Sequence, residues 1–253
     1  LRDRNKFTGT DFNESNWARP EFSREFSDNA DVYIIERRRL LDIMKSFYRF
    51  HFAGRGAVSV LDLGCGDGIA VQEILSVDRM IKATLIDPSE DMLSLARRRL
   101  EGFDGACYVK TSFQEMLEGD ILGQDFDFIV SSLAIHHLTM SEKRELFRLI
   151  HSHLKRDGYF MNIDVVLPPA EALDGWYMRL WQEWIGEQKT LRGIDGEYFD
   201  DVVRRYKDNT DNKPDTLEEQ LAALKEIGFK EVDCNYKYGV FAIYSGKKAS
   251  QSR

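Results

Sequence analysis

Val58-Ser-Val-Leu-Asp62-Leu-Gly64-Cys-Gly66-Asp-Gly68 is an apolar run that stops at an acid and then breaks into three glycines, each two residues from the next. This pattern predicts a buried strand that ends and hands over to a helix. Glycines at these positions let the backbone turn at positive φ. With no Cβ on one side of the loop, a bulky ligand can lie directly on the peptide groups, faced by Asp62 from the strand end. A pyrophosphate-binding turn would read G-x-G-x-x-G at a helix N-terminus. The closer glycine spacing here, preceded by an acid, fits a nicotinamide-dependent oxidoreductase badly. A carboxylate at this point suits a ligand with a cationic amino group.

With Asp62-Leu-Gly64-Cys-Gly66-Asp-Gly68 in view, the sequence resembles the class I S-adenosylmethionine (SAM)-dependent methyltransferases, whose loop reads acid-x-Gly-x-Gly-x-Gly. The next strand, over residues 81–86, ends on Asp87, about 20 residues beyond the loop, where a βαβ unit brings a carboxylate to a ribose. Pro88 ends that strand, Ser89 caps the following helix, and Met92 falls one turn in, where it either covers an adenine face or belongs to the core. Asp87-Pro-Ser-Glu-Asp-Met92 resembles the family's second motif. Phe26-Ser-Asp-Asn-Ala30-Asp-Val-Tyr33 resembles its F-x-x-x-A-x-x-Y entry, in which the tyrosine caps the methionine end of the cofactor; the alternative for Tyr33 is an ordinary half-buried helix residue.

The resemblance implies SAM as cofactor and S-adenosylhomocysteine as product. Asp62 and the loop residues Gly64, Cys65, Gly66 and Gly68 would hold the amino-acid moiety, and Asp87 with Pro88 the ribose side. Met92, Ser112 and Phe113 would hold the adenine. The family's usual acid after the third strand is absent, and Ser112 with the Phe113 backbone takes that place.

The rest of the chain fits an alternating pattern. Strands are expected over residues 106–110, 126–130 and 158–166, and helices over 69–77 and after Ser141, which is read as a cap. The capping-box sequence Thr216-Leu-Glu-Glu219 opens a helix that Gly228 closes, and a hairpin turns around Gly239. Alternation predicts a parallel sheet covered on both faces. The expected fold is α/β: a Rossmann-like, doubly wound, mostly parallel seven-stranded sheet with a terminal antiparallel hairpin. An N-terminal arm spans residues 1–28, the methyltransferase domain 29–246 and a tail 247–253. The arm is read as a loop, and a helix is expected over 29–50 with Arg37, Arg38 and Arg39 solvated.

A helical insertion at about 167–213 carries Trp176, Tyr177, Trp181 and Trp184. It reads either as core or as a lid that excludes water and walls an acceptor pocket. Trp176, Tyr177, Trp181 and His137 are the candidate acceptor contacts.

Ser131 and Ser132 follow the fourth strand, where an open parallel sheet binds ligands at its switch point. His136 and His137 come next. Histidine titrates near neutrality, so His136 is the candidate general base or substrate anchor, against the plainer reading that the pair starts a helix. Asp164 is read as a substrate contact or a turn residue.

Among 253 residues, 43% are hydrophobic and 12% aromatic, enough for one sizeable core. A formal net charge of −8 disfavours nucleic-acid backbones as partners, and an aromatic lid in an acidic protein favours a small organic acceptor. Three scattered cysteines lack metal-ligand spacing, so no metal is expected and a reduced, cytoplasmic setting is. No signal-peptide pattern or apolar run of about 18 residues predicts a membrane association. The competing readings are a tRNA or protein methyltransferase and a non-catalytic SAM-binding regulatory module. Oligomeric state is not encoded legibly.

Overall fold

The computed structural model describes residues 12–119 and 121–249. Residues 1–11 of the expected arm and residues 250–253 of the expected tail lie outside them. Seven strands form one sheet: β1 (Ser59–Leu63), β2 (Lys82–Asp87), β3 (Ala106–Lys110), β4 (Phe126–Ser132), β5 (Leu154–Val165), β6 (Lys230–Tyr238) and β7 (Phe241–Lys247). Their order is β3-β2-β1-β4-β5-β7-β6. The first five strands run parallel, and β7 enters antiparallel between β5 and β6.

The helices are α1 (Pro20–Tyr33), α2 (Arg37–Phe52), α3 (Ile69–Leu75), α4 (Glu90–Arg99), α5 (Phe113–Glu118), α6 (Met140–His153), α7 (Glu171–Arg192), α8 (Val202–Asp208) and α9 (Leu217–Ile227). They cover both faces of the sheet. Val60, Phe128, Val130 and Met161 point into a core shared with α1 to α4 and the insertion. Leu61, Ile129 and Phe160 point the other way, onto α6 and α9. Burial on both faces explains why β1 and β4 read as apolar runs rather than alternations. Their parallel pairing sets the end of β1 beside that of β4, and the chain winds outward from this pair in opposite directions. A crevice therefore opens at their carboxyl ends.

Three local expectations are corrected. The helix expected over 29–50 is two helices, because the chain breaks after Tyr33: Ile34 is extended and Glu36 sits in the left-handed region at φ 52°. The break buries both Ile34 and Ile35, which one straight helix would set about 100° apart. α1 starts inside the expected loop, at Pro20, a residue pre-organised for a first helical position. Two short 3₁₀ turns, Phe12–Glu14 and Asn16–Ala18, precede it. Finally, α6 is capped by Thr139 rather than Ser141, with Glu142 completing a reciprocal capping box.

The insertion is both core and cover. α7 buries Trp181 and Ile185, whereas Trp176 is 55% exposed. Trp181 Nε1 donates to the Tyr33 carbonyl at 2.7 Å, and its ring packs edge-on to Tyr206 and Phe241, fastening the insertion to α1 and the terminal hairpin. At the far end of the insertion, the fully buried Lys143 ammonium of α6 bonds Asp215 and the Lys213 carbonyl. Removing one partner leaves a buried charge poorly compensated. Asp215→Ala is therefore expected to cost about 3 kcal/mol in urea unfolding, whereas the double replacement Lys143→Met/Asp215→Ala recovers much of that loss.

Candidate functional site

Each part of the site follows from how the chain leaves a strand. β1 ends in the glycine loop, where Gly64, Gly66 and Gly68 have φ of 65°, 52° and 78°. A Cβ at Gly64 would lie 2.3 Å from the Ala134 Cβ, so the loop can approach the end of β4 only as glycine. At Gly66 a Cβ would meet nothing within 4 Å, leaving the peptide surface open.

A cavity of about 170 Å³ lies over this loop. Its walls include Gly64, Cys65, Gly66, Asp87, Pro88, Met92, Ser112, Phe113 and Ser132. The β1, β2, β3 and β4 ends therefore bring together nine of the residues singled out from sequence. Four others take different places. Asp62 is wholly buried behind the loop, and Gly68 packs against Ala96 of α4. Ser131 is buried with its hydroxyl donating to the Leu63 carbonyl at 2.7 Å. Tyr33 faces a second cavity, its hydroxyl donating to Glu25 at 2.9 Å. The Ser112 hydroxyl caps α5, accepting the Glu115 N–H, so its hydrogen-bonding capacity is largely spent on the helix.

The electrostatics are acidic. Both Asp62 carboxyl oxygens are buried without a hydrogen-bond partner among the described residues. Burial, reinforced by the charges of Asp87 and Asp67, pushes this carboxyl up to about 8. Burial raises Asp87 to about 6, opposed by the Ser89 and Gly66 N–H groups, each bonded at 2.9 Å. Asp67 is held by Arg99 and by the Ser27 hydroxyl at 2.7 Å.

The second cavity, about 710 Å³, adjoins the first, and Trp17, Phe26, Ile34, Leu133, His137 and Asp211 line both. Tyr33, His136, Trp181, Phe22 and Phe241 complete much of its wall. Trp176 and Tyr177 line neither cavity, and Tyr177 instead carries the Lys237 ammonium over its ring.

His136 Nδ1 lies 2.6 Å from the buried Asp164 carboxylate. Burial alone would raise Asp164, but the His136 charge and hydrogen bond, the Val165 N–H and the Lys143 charge hold it below the usual carboxylate range. An ionised carboxylate only accepts, so it places the proton on Nδ1 and leaves Nε2 as the basic nitrogen.

His137 behaves differently. Its Nδ1–H donates to the Asp211 carbonyl at 3.2 Å and its Nε2 accepts the Trp17 indole N–H at 3.0 Å. Burial and the neighbouring His136 lower it to about 3, so it is a neutral clasp joining the arm to the insertion. Sequence reading missed Trp17, Ser27 and Asp211, which no motif marks, and also Arg37, which lines the first cavity. Asp164 was singled out without its partner.

A family model described as a methyltransferase domain matches residues 60–158. The carboxy-S-adenosyl-L-methionine synthase of Nautilia profundicola is 23% identical over 208 residues, covering 81% of this chain and 80% of that protein. An O-methyltransferase family protein from Burkholderia thailandensis superimposes with a TM-score of 0.66 at 15% identity, over 95% of this chain and 64% of that one. An O-methyltransferase family 2 protein from Planctomyces limnophilus, solved in complex with apigenin, gives 0.61 at 15%, over 91% and 62%.

The chain carries a methyltransferase domain over residues 60–158, and these matches support a class I SAM-dependent methyltransferase. It spans about half the length of other curated methyltransferases that it matches. SAM is the cofactor of this family, and the site fits it: an open glycine surface, an orphaned buried carboxylate beneath it, and Asp87 and Met92 further along the same cavity. Among the described residues, no group of three or more His, Cys, Asp or Glu is arranged to hold a metal ion. No described helix is long and apolar enough to cross a membrane.

Asp62 gives a pH test. Its folded-state carboxyl keeps its proton to about pH 8, whereas in the unfolded chain it ionises near 3.8. Its contribution to stability therefore falls as pH rises from about 4 to about 8, and the full cost is present above that. Asp62→Asn is expected to match wild type near pH 4 and to exceed it by on the order of a few kcal/mol above about pH 8, read from ligand-free unfolding curves across pH.

Proposed function

We propose that this protein transfers the methyl group of SAM to a small, largely aromatic acceptor held in the larger cavity, with His136 removing the acceptor's proton. The observation that carries this reading is the Asp164-His136 pair on the wall of a cavity adjoining the glycine-loop cavity. When bound, SAM supplies an electrophilic methyl group on a sulfonium. Asp62 and the backbone of Gly64, Cys65 and Gly66 hold the amino-acid end, with Gly68 setting the loop on α4. Asp87 holds the ribose. Pro88, Met92, Ser112 and the Phe113 backbone wall the adenine, and Ser132 lines the cavity where β4 ends. Tyr33 belongs with the acceptor rather than with the methionine end.

His136 Nε2 takes the proton from an acceptor hydroxyl, and Asp164 orients the ring and stabilises the imidazolium that forms. Phe22, Phe26, Trp181 and Phe241 supply apolar walls for a ring-bearing acceptor and exclude water from the nucleophile. The aromatic walls, the enclosing arm and a net charge of −8 favour such a molecule over RNA. The apigenin complex of the Planctomyces limnophilus protein supports a flat phenolic acceptor.

The test is incubation with methyl-labelled SAM and a panel of phenols, carboxylic acids and amines, alongside tRNA and protein fractions, with products read by mass spectrometry. Label in a phenolic product is expected. Transfer only to macromolecules would overturn the acceptor class. Conversion of SAM itself to a new adduct would point instead to chemistry like that named for the Nautilia profundicola relative. His136→Gln is expected to lower kcat about 10²- to 10⁴-fold while leaving the SAM Kd nearly unchanged.

A further inference from the structure

The glycine-loop cavity presents carboxylates at Asp67 and Asp87, with Asp62 buried behind them. These suit the sulfonium and ammonium charges of SAM but repel its carboxylate. Arg37 is the one Lys or Arg among the described residues that line this cavity. Its side chain is only 16% exposed, and Nη1 bonds Asp31 at 2.8 Å. That bond leaves Nε and Nη2 without a protein acceptor among the described residues, so donors of a largely buried guanidinium remain available.

Backbone geometry brings Arg37 there. The left-handed Glu36 ends the break between α1 and α2 and sets Arg37 as the first residue of α2, while the next residues, Arg38 and Arg39, face solvent. Pairing of Arg38 and Lys45 with Glu73 holds α2 beside α3, the helix that the glycine loop opens. Arg37 therefore lines the cavity from the start of a helix that is tied to the one the glycine loop opens.

We propose that Arg37 binds the α-carboxylate of the cofactor's amino-acid end and makes the cavity selective for adenosyl ligands that carry one. This rests on the SAM reading of the cavity and is independent of the acceptor. Asp31 fixes the guanidinium from behind, and Arg192 of α7 approaches the same Asp31 at 3.6 Å, coupling the insertion to the cofactor's carboxylate end.

Calorimetric titration of the wild-type protein, Arg37→Gln and Arg37→Lys with SAM and with decarboxylated SAM, which lacks only this carboxylate, tests the assignment. Wild type is expected to bind SAM about 10- to 100-fold more tightly than decarboxylated SAM, the range for a hydrogen bond to a charged group. Arg37→Gln should lose about that factor for SAM and leave decarboxylated SAM within about twofold, with Arg37→Lys between. Equal wild-type affinity for the two ligands, or an equal loss for both in Arg37→Gln, would overturn the proposal while leaving the SAM reading intact. Failure of wild type to bind either ligand would overturn both. If Arg37→Gln does not fold, the wild-type ratio and Arg37→Lys decide.

Discussion

A buried, unpartnered carboxyl group lies at the centre of this protein. Asp62 is wholly buried, has no hydrogen-bond partner among the described residues and has Asp67 and Asp87 as charged neighbours. Such a group opposes folding, and it persists because β1 is paired on both sides and packed between two apolar cores that hold the strand in register. Most of the surrounding geometry follows from that strand end. The glycines let the chain turn away without a side chain, Ala134 closes against Gly64, and Asp87 reaches the turning backbone through the Gly66 N–H. Asp67 and Asp87 on the cavity wall add negative charge that suits a cationic ligand.

A sheet edge open to water would waste that arrangement, and enclosure comes from segments outside the alternating pattern. The arm delivers Trp17, the insertion delivers Asp211, and neutral His137 joins the two by bonding each through a different ring nitrogen. Trp181 fixes α7 to the end of α1 through the Tyr33 carbonyl. The two histidines that follow β4 therefore divide their work. His136 is tied to a carboxylate that leaves Nε2 basic, whereas His137 is neutral and holds the cover in place. Adjacent identical residues acquire different chemistry because one meets a buried anion and the other meets a carbonyl and an indole.

Features legible in the sequence were those set by local rules. The glycine loop, Asp87 at the end of β2, the α9 capping box and the terminal hairpin follow from turn chemistry, strand burial and cap preferences over a few neighbouring residues. Local rules also marked the starts of α1 and α6, where Pro20 and the Thr139-Glu142 pair were overlooked. The break after Tyr33 was harder to read. Helical periodicity continues across it, and the left-handed Glu36 is favoured by burial of Ile34 and Ile35, which propensity does not register.

By itself the sequence determined the doubly wound sheet, its cofactor crevice and the carboxylates at its strand ends, because strand length, glycine spacing and alternation are properties of contiguous residues. Tertiary structure alone decided which side chains share a cavity. His136 meets Asp164 across 28 residues, His137 meets Trp17 across 120, and the Arg37 guanidinium lies on the cavity wall rather than in solvent. Tyr33 lines the second cavity rather than the glycine-loop cavity, and Trp176 and Tyr177 line neither. These contacts depend on how helices from the arm and the insertion settle on one face of the sheet. That docking is fixed by packing among distant apolar residues, which no local pattern in the chain records.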